Sequence, residues 1–254
     1  MSAPPVLARE DQGRVRRLIL NRPEKKNALS GELAGALVAA LQEANADPGV
    51  GAVVLASTGD MWSAGVDVNV FLQIAAGQPA PDALVRLTHH LRAFEKPLIA
   101  CVQGPTLGMG VTILPHFDLV YAGERATFGT PFVKLGLVLE YGSSFTLPRL
   151  IGRQRANELI LRAKPISAAT AADWGLVTRV FADDALDEEV LRIATDVAGA
   201  PAGAVAACKR LLLEGEETTL EAAVAAENLA LSTRYGSAEN VAAVTAILDK
   251  GKRS

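Results

Sequence analysis

The sequence predicts an α/β fold, a largely parallel sheet covered by helices, followed by a region made of helices alone. Three observations carry this. Short continuous apolar runs at residues 52–56 and 98–102 read as strands buried on both faces. Stripes of apolar residues at helical spacing separate these runs. Beyond Pro201 no strand-like run occurs. Alternating strands and helices imply right-handed crossovers and a mainly parallel core.

The elements follow in order. Residues 6–10 and 14–20 read as two strands joined at Asp11-Gln12-Gly13, a connection of hairpin length. Ser30 is a candidate N-cap for a helix carrying Leu33, Leu37, Leu41 and Ala44, which Asp47-Pro48-Gly49 stops. The strand at 52–56 comes next. A helix over 82–94 presents Leu84, Leu87, Leu91 and Phe94, and Lys96-Pro97 ends it before the strand at 98–102. A short helix starts near Gly108, a strand covers 118–121, a helix lies around 155–161 and a strand spans 176–181. Three helices are expected over 202–213, 220–233 and from Ser237 to Lys250. The expected division is a core over residues 1–200 and a helical oligomerisation region over 201–254.

Charge and cysteine content exclude several classes. The 254 residues hold 25 Lys+Arg against 28 Asp+Glu, a net charge of -3 without a clustered basic face, which argues against nucleic acid as a partner. Cys101 and Cys208 lie far apart in apolar sequence and read as two buried thiols. The opening residues lack an apolar run behind a basic start, and no stretch of about 18 apolar residues occurs, so neither a leader nor a membrane span is expected. The final GKRS is not a Ser-Lys-Leu address, which makes a cytoplasmic location the expectation. His89, His90 and His116 have no metal-ligand spacing, and no metal is expected. Phosphate-loop, dinucleotide and nucleophile-elbow motifs are absent.

Three segments could carry chemistry. Residues 61–68 form a loop of small residues after a buried strand, where backbone N–H groups can donate. Residues 103–112 leave a second buried strand and enter a helix, whose first N–H groups have no partner inside it. Residues 127–142 form a largely apolar stretch interrupted by a single acid, Glu140. Two donor loops opposite one carboxylate are the equipment for taking a proton next to a carbonyl and holding the enolate.

The motifs resemble those of the crotonase, or enoyl-CoA hydratase and isomerase, superfamily. Asn21-Arg22-Pro23-Glu24-Lys25-Lys26-Asn27-Ala28-Leu29 is similar to its opening motif, Ser63-Ala64-Gly65-Val66-Asp67-Val68 to its first oxyanion loop, and residues 104–121 to its second. The likeness continues through residues 126–132 and 174–177 and spans about residues 6–185. It implies a spiral of ββα units, an acyl-CoA thioester as substrate and partner, no separate cofactor because coenzyme A is part of that substrate, and a homotrimer or dimer of trimers. It also implies that the N–H groups of Ala64 and Met109 hold the thioester oxygen. The substrate then runs along Ser63, Gly65, Val66, Asp67 and Val68, near Lys25 and Lys26, with Gly108, Thr130 and Phe132 beside the acyl group.

Two departures narrow the reaction. Hydratases of the superfamily use two Glu residues to position water, and the matching positions here hold Thr112 and Phe132, neither of which is a base. Glu140 instead falls where the peroxisomal-type delta-3, delta-2 enoyl-CoA isomerases keep their one acid. The resemblance therefore implies an isomerase with Glu140 as proton shuttle. Ring isomerisation of an aromatic-degradation ester, thioester hydrolysis, hydration and a non-catalytic acyl-CoA-binding role stay open. Pro115 has no role in this reading.

Overall fold

The computed structural model describes residues 4–251. Residues 1–3 and 252–254, on which the readings of the two chain ends partly rest, lie outside that range. The first strands, β1 (Leu7–Gln12) and β2 (Val15–Leu20), form an antiparallel hairpin. β1 runs two residues further than expected, because Asp11 stands opposite Arg16 and accepts its Nε–H at 2.9 Å. The turn tightens to Gly13, whose φ of +58° suits glycine, and Arg14.

Helix α1 (Gly31–Ala46) starts where expected, with Ser30 Oγ accepting the Leu33 N–H. It leads to β3 (Ala52–Ser57), α2 (Val68–Ala75), α3 (Asp82–Arg92) and β4 (Leu98–Val102). Next come β5 (Thr106–Leu107), α4 (Met109–Thr112), β6 (Leu119–Gly123), β7 (Thr127–Gly129), α5 (Ser143–Ile151) and α6 (Arg153–Arg162). The chain finishes through β8 (Ile166–Ser167), α7 (Ala168–Trp174), β9 (Arg179–Phe181), α8 (Leu186–Ala198), α9 (Ala202–Gly215), α10 (Leu220–Arg234) and α11 (Ala238–Gly251).

The main sheet has the order β1-β2-β3-β4-β6-β9 and is parallel everywhere except the opening hairpin. Its central strands are apolar throughout because both faces are covered, and the two-residue period sorts their side chains. Val53, Leu55, Leu98 and Ala100 pack with the leucines of α1 and α3. Val54, Ala56, Ile99 and Cys101 pack on the other side against Leu186, Val190 and Ala194 of α8. A second, three-stranded sheet, β5-β7-β8, fixes the segment that enters α4.

Several expectations change. Val68 is not loop but the first residue of α2, whose N-cap is Asp67. Leu176 and Val177 do not pair in a sheet, because both N–H groups return to Ala171 O at the end of α7 and the strand begins only at Arg179. Asp118 precedes β6, its carboxylate accepting the Leu98 N–H at 2.7 Å. Cys101 is buried as expected, and burial pushes its thiol pKa up. Cys208 is exposed on α9. Among the described residues no single helix is long and apolar enough to cross a membrane.

Candidate active site

The site begins where the first loop pairs with the opening motif. Leu29 and Val66 form an isolated parallel bridge: the Leu29 N–H donates to Gly65 O at 2.7 Å and the Asp67 N–H to Leu29 O at 3.0 Å. Along an extended backbone successive N–H groups point to opposite sides, so the Val66 N–H turns away from Leu29. Among the described residues it makes no hydrogen bond. The side it faces is closed by the second loop. Gly65 has a φ of +87°, and a β-carbon there would stand 2.8 Å from Leu107 O and 3.3 Å from Met109 N. Only glycine lets the two backbones come this close.

Met109 is the first residue of α4, so its N–H has no acceptor inside the helix. The Gly108 N–H is held by Gly129 O at 2.9 Å, and Gly108 has a φ of +53°. Two unpaired backbone donors, Val66 and Met109, thus flank one glycine-lined contact. Ala64 is not one of them: its N–H donates to Lys26 O at 2.9 Å. This corrects the expected pair: the Ala64 N–H is spent on the opening motif, and beyond the left-handed turn at Gly65 the Val66 N–H is left free.

A buried network shapes these loops. Asn27, fully buried with a φ of +51°, donates from Nδ2 to Thr58 O at 2.7 Å and Met61 O at 2.9 Å, and its Oδ1 accepts the Arg22 N–H at 2.8 Å. Ser63 Oγ donates to Asn27 O at 3.0 Å. Arg22 reaches Asp67 Oδ2 at 3.1 Å and Ala28 O at 2.7 Å. Asp67 Oδ1 accepts the Asn69 N–H at 3.1 Å and so caps α2. Burial raises the Asp67 pKa, but the bonds from Asn69 and Arg22 outweigh it and the net direction is down. Ser63 and Asp67 therefore act by shaping the loop from within. Lys25 and Lys26 are exposed beside it.

The third segment is attached to the second. Phe132 is buried, and a β-carbon on Gly108 would lie 4.0 Å from its Cε1. From Phe132 the chain runs through exposed apolar residues to Glu140, which is half-buried. Among the described residues the Glu140 carboxylate has no hydrogen bond or ion pair, and burial alone lifts its pKa to about 7. The backbone around it is firmly held. Ser143 donates to Glu140 O from both N (3.0 Å) and Oγ (2.6 Å), and His116 Nε2 lies 3.0 Å from Tyr141 O. An unpaired carboxylate poised near neutrality, on a segment tied to two free N–H donors, can move a proton at a carbon next to a polarised carbonyl.

The sequence matches the profile of the enoyl-CoA hydratase/isomerase family over residues 10–253. The chain belongs to that family. It is 36% identical over 242 residues to enoyl-CoA delta isomerase 2 of Homo sapiens, covering 93% of this chain and 61% of the human protein. It thus spans about three fifths of that relative's length. It is 33% identical to 2,3-dehydroadipyl-CoA hydratase of Escherichia coli K12, covering 94% of each chain. A solved structure described as a putative enoyl-CoA hydratase/isomerase from Mycobacterium abscessus superposes with a TM-score of 0.88 at 31% identity, over 96% of both chains. The fold is the α/β crotonase fold that the motifs implied.

Within this hydratase/isomerase fold the remaining expected residues divide. Thr112 and Phe132, at the positions of the hydratases' acids, are buried, and Thr112 Oγ1 donates only to Met109 O at 3.4 Å. Thr130 is fully buried and its hydroxyl donates to Leu159 O at 2.9 Å, so that donor is spent on anchoring α6. Val68 is exposed at the start of α2. Sequence reasoning missed Val66 as a donor, Arg22 and Asn27 as the network beneath it, and His116. Arg22 and Asn27 sit inside the opening motif, which was their only signal.

Proposed function

We propose that this chain is an enoyl-CoA isomerase that moves a double bond from position 3 to position 2 of an acyl-CoA thioester. The observation that carries the reading is Glu140: one unpaired, half-buried carboxylate with its pKa lifted to about 7, in a site whose two other acid positions hold Thr112 and Phe132. The carboxylate removes a proton from C2. The C2–H electrons move into a dienolate whose oxygen accepts the N–H groups of Val66 and Met109, and the same carboxyl returns the proton at C4. Nothing but a proton and a double bond moves, so the step calls for no cofactor, coenzyme A being part of the substrate. The buried Phe132 ring beside Gly108 keeps water from the dienolate. Lys25 and Lys26 offer point charges to the substrate's phosphates. The printed name of the human relative, a delta isomerase, agrees with this reaction.

Glu140→Gln is expected to lower conversion of a 3-enoyl-CoA to the conjugated 2-enoyl form by about 10²- to 10⁴-fold while CoA-ester binding persists. Near wild-type conversion by Glu140→Gln, or strong hydration of crotonyl-CoA by the wild type, would overturn the reading. Copies of the chain associate as a trimer or dimer of trimers. Support comes from apolar side chains left in water on α9–α11, among them Leu212, Leu220, Leu229, Ile247 and Leu248.

A further inference from the structure

The peptide that follows Glu140 is strained and held. Tyr141 has a φ of +53°, a left-handed conformation that disfavours a bulky aromatic residue, so neighbouring contacts must keep it there. Two contacts do so from different elements. Ser143 grips Glu140 O from within the same turn, and His116 Nε2 grips Tyr141 O from outside it. His116 closes the turn Leu114–His116 that continues α4, the helix opened by Met109. Pro115, unassigned from sequence, is built into that turn, where its fixed φ stiffens the turn that presents the imidazole.

We propose that His116 is a positioning residue that couples the oxyanion-donor segment to the base, setting where the Glu140 carboxylate stands by holding the Tyr141 peptide. This rests on the reading of Glu140 as the base. His116 acts through the backbone and not on substrate. Its partner is a carbonyl, so Nε2 must carry the hydrogen. Burial, the largest influence, draws the imidazole pKa down; the Tyr141 bond opposes it, the charge of Arg92 adds a smaller lowering, and the net direction favours the neutral ring. The charged groups around it share one small cavity: Arg92 of α3, Asp118, Lys209 of α9 and Glu216 just past that helix. Arg92 is paired with Glu217 at 2.9 Å and Lys209 with Asp118 at 2.8 Å, so Asp118 and Glu217 have partners other than the ring.

The test compares His116→Leu, which removes the donor, with His116→Gln, which restores an N–H. The readouts are kcat, KM, the pH dependence of kcat, thermal melting, and exchange of the C2 proton of a saturated acyl-CoA in deuterated water. His116→Leu is expected to lower kcat and exchange by about 10- to 100-fold, the scale of a misplacement near 1 Å, with KM within about twofold and the pH inflection displaced. His116→Gln should recover most of the rate. The double variant with Glu140→Gln should lose nothing beyond Glu140→Gln alone. A folded His116→Leu with wild-type kcat and exchange overturns the inference, as does a His116→Gln that melts like wild type but turns over no faster than His116→Leu. If His116→Leu does not fold, His116→Asn, an amide donor one bond shorter, takes its place in the same comparison. Failure of the isomerase reading looks different: exchange still depends on His116 and Glu140, but no 3-enoyl-CoA is conjugated.

Discussion

At the scale of one residue, burial of Glu140 is what would fit it for the proposed role of base. A carboxyl with its ordinary pKa near 4.5 is a weak base toward a carbon acid, and withdrawal from water raises its proton affinity. The same shift has a cost in stability whose sign is fixed. The folded pKa of about 7 lies above the unfolded value, so folding favours the protonated form. That stabilisation is fully present below about pH 4.5 and is lost as the pH rises through about 7. Glu140→Gln should therefore melt higher than wild type at pH 8, with the difference vanishing below about pH 4.5, as followed by differential scanning fluorimetry across that range. Activity runs the opposite way, since the base must be ionised. kcat/KM on a 3-enoyl-CoA should climb with pH and level off above about 7. A flat profile between pH 5.5 and 8.5 would remove Glu140 from the role of base.

At the scale of elements, the oxyanion loop is defined by what surrounds it. Its geometry depends on Leu29 holding both sides of Val66, and on Asp67 joining a helix cap to a largely buried ion pair with Arg22. Asp67→Ala uncaps α2 and leaves the Arg22 guanidinium with only its bond to Ala28 O. The expected loss is about 4–6 kcal/mol in urea unfolding, the sum of about 1 for a cap and about 3–5 for one partner of a buried pair. Asp67→Asn keeps the cap acceptor and should lose less; equal losses would show that the cap contributes nothing. These contacts also explain what could be read in advance. The helix after Ser30 and the strands at Ala52 and Leu98 were legible because cap chemistry and continuous apolar runs are local signals. Glu140 stood out as an acid in an apolar stretch, and its proposed role came from the family resemblance. The free donor was not legible, since which N–H of the loop is left over is decided by the long-range bonds to Lys26 and Leu29 and by the left-handed turn at Gly65. β5 and β8, two residues each, carry no periodicity at all.

At the scale of the whole molecule, the two ends of the chain solve the burial problem differently. The sheet is covered on both faces within one chain, by α1 and α3 on one side and α8 on the other. The C-terminal helices have no such cover. α10 buries only Ala230, while Leu220 and Leu229 are 75% and 70% exposed. A helix held by one buried alanine gains little from packing within its own chain, because helical stability in proteins comes mostly from burying an apolar face. In the assembly proposed above a second copy would supply the missing surface, and closed rings of identical chains are the common way to use it. Sedimentation of the wild type should accordingly give the mass of three or six chains. Leu229→Glu should shift that mass toward one chain. Its far-ultraviolet circular dichroism should be unchanged, since a surface substitution of this kind costs a lone chain no more than about 0.5 kcal/mol. A wild type that sediments as a single chain at micromolar concentration would mean that α10 stands uncovered, and the assembly proposal would fall with it.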